Sequence, residues 1–269
     1  MSASSKLTAT AAQIHPTALV DVRAKIADSC RIGPYCIVGP AVELGEECEL
    51  ISHVVLEGPT RLGSHNRIFP FASVGLEPQD LKFKGERTRL EIGDHNVLRE
   101  FVTIHRGTPG GGGVTRVGNH CLIMAYTHIA HDCVIGDHVI MANAATLAGH
   151  VTIEDWATVG ALCPVHQYVR IGAYSYIGGG TTITRDVLPF SKTVTPRNTT
   201  AYGMNSVGLE RRGFSKDRIR KIHHAYKVLL ASKLNTTQAL EKLKAEGDLG
   251  EDVEMLIRFI ESSERGVIK

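Results

Sequence analysis

The chain has 269 residues and carries 30 Lys and Arg against 28 Asp and Glu, a net charge of +2. So even a balance argues against nucleic acid as a main partner. Aromatic residues make up only 6% and Gly is plentiful at 27, which points to many tight corners rather than long buried helices. No stretch reaches the roughly 20 apolar residues that cross a bilayer, and residues 1–12 are too polar for a signal peptide. The expectation is a soluble, cytoplasmic protein with no membrane insertion.

From Ile14 onward an aliphatic side chain returns every sixth residue: Ile14, Val20, Ile26, Ile32, and so on to Ile68 and Val74. After a lapse the series resumes at Ile92, Leu98 and Ile104. After another it runs from Val117 to Ile183, broken only by Met141. Four places after each aliphatic sits a small residue, and all six cysteines (Cys30, Cys36, Cys48, Cys121, Cys133, Cys163) fall in that slot. No CxxC pair occurs, so they read as small interior fillers. The place just after the aliphatic is often glycine, as at Gly33, Gly45 and Gly63, which suits a corner with an unusual backbone angle. Each hexad is thus one short strand and one turn, and stacked turns share a continuous core. The lapses at residues 75–91 and 106–116, one charged and one glycine-rich, predict loops extruded from the coil. The GGGG run lacks the lysine and strand–turn–helix setting of a phosphate loop.

After Pro189 the periodicity turns helical. Residues 215–232 carry Ile219, Ile222, Ala225, Tyr226 and Leu229 at helical spacing. Residues 235–247 open on an Asn-x-x-Gln cap signature, and residues 251–264 make a third helix. The division expected is 1–190 for the coil and 191–269 for a small C-terminal helical domain. The fold class is mainly β.

The segment HIAHDC at 128–133 is the richest in chemistry. His131 beside Asp132 suits general-base work, because a carboxylate orients the ring and supports its protonated form. If three six-residue sides make a coil of 18 residues, as the resemblance given next implies and the repeat alone does not show, Gly149 falls one coil from His131 at the same corner, with His150 beside it. The Gly149 N–H could then face an oxyanion near the ring. Most of the other histidines, among them His15, His53, His65 and His95, read as solvent-facing or structural.

The repeat resembles the hexapeptide-repeat acyltransferases, whose coil is a left-handed parallel β-helix of three sides. The segments IHPTA at 14–18, QDLK at 79–82, TIHRG at 103–107, HIAHDC, LAGH at 147–150, VHQ at 165–167 and GLERRGF at 208–214 narrow this to the UDP-N-acetylglucosamine O-acyltransferases. That family opens lipid A synthesis. The resemblance implies that His131 is the base acting on the sugar 3-hydroxyl, that Asp132 supports it, and that Gly149 supplies the oxyanion amide. The hydroxyl would attack the thioester of an (R)-3-hydroxyacyl carrier protein directly, without an acyl-enzyme. By the same resemblance Gln79, Asp80, Lys82, His105, His128, His150, His166 and Gln167 belong to the substrate site. Asn205, Arg211 and Arg212 belong with the nucleotide-sugar diphosphate. Gly179 forms the floor that limits acyl length. The resemblance also implies a homotrimer with sites between subunits, and neither metal nor other cofactor.

Val207 stands where an acidic residue is frequent and Tyr126 where some members have Asn, so the sugar and its 3-amino analogue both remain open. The basic residues Arg211, Arg212, Lys216, Arg218, Arg220 and Lys221 read either as a solvated helix face or as a dock for acidic carrier protein. Three other readings compete. The related N-acyltransferase needs an N-terminal domain for which hexads beginning at residue 14 leave no room. A zinc enzyme on the same coil needs three His around a metal. A scaffold without catalysis would not gather histidines at one level.

Overall fold

The computed structural model describes residues 12–194 and 200–268. The chain winds as a left-handed parallel β-helix of three sides. Its strands, most of two residues, form one sheet of eleven and two of eight, each strand of the coil up to Tyr176–Ile177 pairing with the third one along. The register confirms the ruler: Ile14 pairs with Ile32, Ile37 with Val55 and Ile123 with Met141. The aliphatic slot is the core, with Leu50, Ile68, Leu98, Ile123 and Ile177 fully buried.

All six cysteines are buried and unpaired. Five of them point their S–H at a backbone carbonyl fifteen residues on, as Cys121 does to Gly136 at 3.2 Å and Cys133 to Ala148 at 3.3 Å. Burial pushes the Cys133 thiol up to about 12 and that of Cys121 to about 11. Neither of these two thiols tends to ionise near neutrality.

The corners depart from expectation. Apart from Gly75 at φ 82°, the glycines after the aliphatic do not have positive φ. The left-handed residue lies two places further on and is nearly always a side chain: Tyr35, His53, Phe71, Phe101 and Tyr126 on one corner, His65, His95, His120, His138, Trp156 and Tyr174 on the next, all with φ between 52° and 65°. A left-handed non-glycine costs about 1–2 kcal/mol. Stacking offsets it, because the coil repeat of about 4.8 Å sets one ring over the next. His65, His95, His120 and His138 stack at 4.4, 4.7 and 4.9 Å, and Trp156 lies 3.8 Å beyond them. The glycines serve close approach instead: a Cβ at Gly33 would lie 1.8 Å from the Ile51 carbonyl oxygen.

Both extrusions are shorter than the charge pattern suggested. Strands Ser73–Leu76 and Arg89–Ile92 take in the ends of the first, leaving residues 77–88 outside; strand Val114–Val117 leaves residues 106–113. Arg89, Glu91 and Arg116 are charged because they lie on the outer face of a strand, where they pair at 2.6 and 3.1 Å, while Leu90 and Ile92 point inward. Leu98 pairs with Ile123 rather than with residue 116, so the second insertion shifts the register by seven.

The last strand of the large sheet, Thr200–Met204, runs antiparallel to Ser191–Val194. Four α-helices follow: α1 (Ser206–Arg211), α2 (Lys216–Tyr226, continued by a π-helical turn to Ala231), α3 (Thr236–Ala245) and α4 (Glu251–Glu261). The capping box Asn235–Gln238 is present. Helix α1 was not expected, being too short to show a period. The helices close over a second core with Leu188, Phe190, Phe214, Leu229 and Leu256. Ile268 returns to the coil core, its N–H donating to the Asp186 carbonyl at 2.9 Å.

Candidate active site

Asp132 occupies the left-handed position of its corner, with φ 61°. This turns the carboxylate back under the coil, where its side chain is only 1% exposed. Oδ2 accepts from His131 Nδ1 at 2.8 Å and from Thr108 Oγ1 at 2.6 Å; Oδ1 accepts from the Thr108 N–H at 2.8 Å. With Nδ1 donating to the carboxylate, Nε2 of His131 carries the free lone pair, which is the tautomer a general base needs.

The 18-residue step brings Gly149 against that ring: a Cβ there would sit 2.6 Å from His131 Cε1. On the neighbouring corner the N–H at this position is taken by the next coil, as Asp137 and Asp155 do for Asn119 and Asp137 at 2.6 and 2.8 Å. Among the described residues nothing takes the Gly149 N–H. His150 crosses His131 edge-on at 5.3 Å and lies 3.8 Å from Asp132 Oδ2. His128 bonds Thr103 Oγ1 through Nδ1 at 2.7 Å and meets His105 edge-on at 5.1 Å.

Burial holds His105 down at about 4, helped by the neighbouring His128, His131 and Arg106. Burial and then His131 lower His128, and burial lowers His150 against the pull of Asp132. His131 is therefore ringed by imidazoles that stay neutral and available for hydrogen bonding. Ligand-type atoms of His131, Asp132 and His150 lie within 4.8 Å of one another. Asp132 Oδ2 already accepts from two protein donors and Oδ1 from one, so its hydrogen bonds hold the His131 ring and the loop at Thr108.

The remaining predicted residues lie in three places. Gln79 and Lys82 are exposed on the first loop; Asp80 accepts from the Lys82 N–H at 2.9 Å and is close enough to act on His150. His166 and Gln167 lie a coil further along, where Arg265 donates to the Gln167 carbonyl at 2.6 Å. Gly179 lies on another corner, beneath Ala161. Asn205, Arg211 and Arg212 line a cleft of about 750 Å³ against Thr158, Tyr176 and Lys192, on a different face from His131. Arg212 is less free than expected: its two amino groups donate to the Gly208 and Trp156 carbonyls at 3.2 Å each. Half of the basic stretch is paired with acids, Arg218 on Asp252 at 2.8 Å, Arg220 on Asp217 at 2.5 Å and Lys221 on Asp248 at 3.1 Å.

A three-sided coil of hexads with an imidazole–carboxylate pair at one corner defines a hexapeptide-repeat transferase. Residues 115–149 match the bacterial transferase hexapeptide family, and residues 186–268 match the second domain of the UDP-N-acetylglucosamine O-acyltransferases. The acyl-[acyl-carrier-protein]–UDP-N-acetylglucosamine O-acyltransferase of Syntrophobacter fumaroxidans is 47% identical, covering 96% of this chain and 100% of the relative. That of Thermodesulfovibrio yellowstonii is 48% identical, covering 96% and 99%. The crystal structure of UDP-N-acetylglucosamine O-acyltransferase from Moraxella catarrhalis superposes with a TM-score of 0.91 at 44% identity, covering 95% and 99%. The chain belongs to the UDP-N-acetylglucosamine O-acyltransferase family.

Proposed function

We propose that this chain transfers an (R)-3-hydroxyacyl group from acyl carrier protein to the 3-hydroxyl of UDP-N-acetylglucosamine, the first step of lipid A biosynthesis. The observation that carries the mechanism is His131, held through Nδ1 by buried Asp132 and packed directly on Gly149. His131 Nε2 takes the hydroxyl proton as the oxygen attacks the thioester carbonyl. The resulting oxyanion faces the unpaired Gly149 N–H. Collapse breaks the carbon–sulfur bond, and the leaving thiolate takes the proton back from His131. No acyl-enzyme is needed.

Asn205 and Arg211 hold the nucleotide diphosphate. Their cleft faces away from His131 in one chain, which supports a homotrimer whose sites draw on two subunits. Gly179, with no side chain, leaves room for a long acyl chain. Among the described residues no helix is long and apolar enough to cross a membrane, and both substrates suit a cytoplasmic enzyme.

Mass spectrometry of products from a panel of 3-hydroxyacyl carrier proteins, offered UDP-N-acetylglucosamine and its 3-amino analogue separately, tests this reading. The expected product is the 3-O-ester. An amide only would reassign the sugar, and no product from either would overturn the function.

A further inference from the structure

The glycine-rich loop at residues 106–113 is not absorbed by the mechanism above, yet it is built tightly onto the site. Arg106 anchors its start, donating to the Gly75 carbonyl at 3.0 Å. Thr108 opens a three-residue 3₁₀ turn, Pro109–Gly111, from the N-cap position. A threonine there ordinarily turns its hydroxyl onto the turn's own N–H groups, but this one makes no such cap bond. Its hydroxyl goes to Asp132 Oδ2 and its N–H to Oδ1, with Thr108 only 6% exposed. Gly111 folds over the same carboxylate so closely that a Cβ would lie 2.0 Å from Asp132 Cγ. Below, Thr115 Oγ1 accepts the Asp132 N–H at 2.8 Å.

We infer that Thr108 is a positioning residue for acyl transfer: by gripping both oxygens of Asp132 it fixes the carboxylate plane, so that Oδ2 holds His131 in the base tautomer and orientation. Gly111 is glycine so that the loop can close over the carboxylate. A carboxylate held through only one oxygen can still rotate about its Cβ–Cγ bond. One residue donating to both oxygens removes that freedom, and misorienting the base costs turnover more than binding. The inference rests on His131 being the base.

The test is steady-state acyl transfer by the full chain carrying Thr108→Val, which keeps shape and N–H and removes only the hydroxyl, beside Thr108→Ser. Thr108→Val is expected to lower kcat by about 10–100-fold, a fraction of what a whole general base contributes, with KM within about twofold. Thr108→Ser should stay near wild type. A Thr108→Val enzyme within twofold of wild type, a loss confined to KM, or equal losses in both variants would overturn the inference. Should Thr108→Val fail to fold, Gly111→Ala replaces it: its methyl must lift the loop from Asp132 and is expected to lower kcat comparably, and full activity would refute the clamp. His131→Ala runs alongside. An active His131→Ala enzyme removes the base itself, whereas an inactive one beside normal Thr108→Val removes only the clamp.

Discussion

Gly149 has two duties that no other residue could combine. Its missing Cβ admits the His131 ring, and its N–H is left without a partner in the coil. Gly149→Ala must push the imidazole off its place, so we expect a loss of about 100-fold or more in kcat with the coil's thermal melt little changed; activity and circular dichroism on the same sample check both. His105 gives a pH signature. Its folded value, about 4, lies below the ordinary 6.5, so between these limits the unfolded chain binds more protons. The contribution is fully present above about 6.5 and is lost as pH falls towards 4. Urea midpoints at pH 7.5 and 4.5 should fall more in wild type than in His105→Gln. At this scale the repeat made His131, Gly149 and His150 legible, because an 18-residue step needs no knowledge of contacts. Thr108 and Thr115 were not legible. Thr108 sits inside the second insertion, Thr115 falls within the stretch read as an extruded loop, and a hydroxyl there carries no motif.

Among elements, the corner chemistry inverts what glycine usually signals. Gly33→Ala should lower the melting temperature markedly, since its Cβ would overlap the Ile51 carbonyl and overpacking of this kind costs about 1–3 kcal/mol. Ala144, left-handed at φ 57° and with no ring to stack, should tolerate Ala144→Gly with an unchanged or higher melting temperature. Melting curves of the two variants test the assignment directly. The aliphatic series predicted every side of the coil because burial demands it. It overextended both loops, since charged residues such as Glu91 and Arg116 serve equally on a strand's outer face. The three long helices showed their period; α1, at six residues, had too few positions to show one.

For the whole molecule, the separation between the His131 corner and the Asn205–Arg211 cleft is the organising fact. The cleft lies between the tail and one face of the coil, away from the His131 corner; under the proposed function, a nucleotide held there reaches a base only on another copy of the chain. Sedimentation should therefore report a trimer. Co-expressed His131→Ala and Arg211→Ala chains, each nearly inactive alone at low sugar concentration, should regain activity as mixed trimers, whereas sites built within single chains would show none. No periodicity could reveal this, since it depends on surfaces that face outward. The claim on which the rest depends is that the His131–Asp132 pair is the general base. The most direct measurement is single-turnover acyl transfer by His131→Ala at saturating acyl carrier protein and sugar. The rate should fall by about 10²–10⁴-fold with substrate binding retained; a rate within a few-fold of wild type would contradict the account.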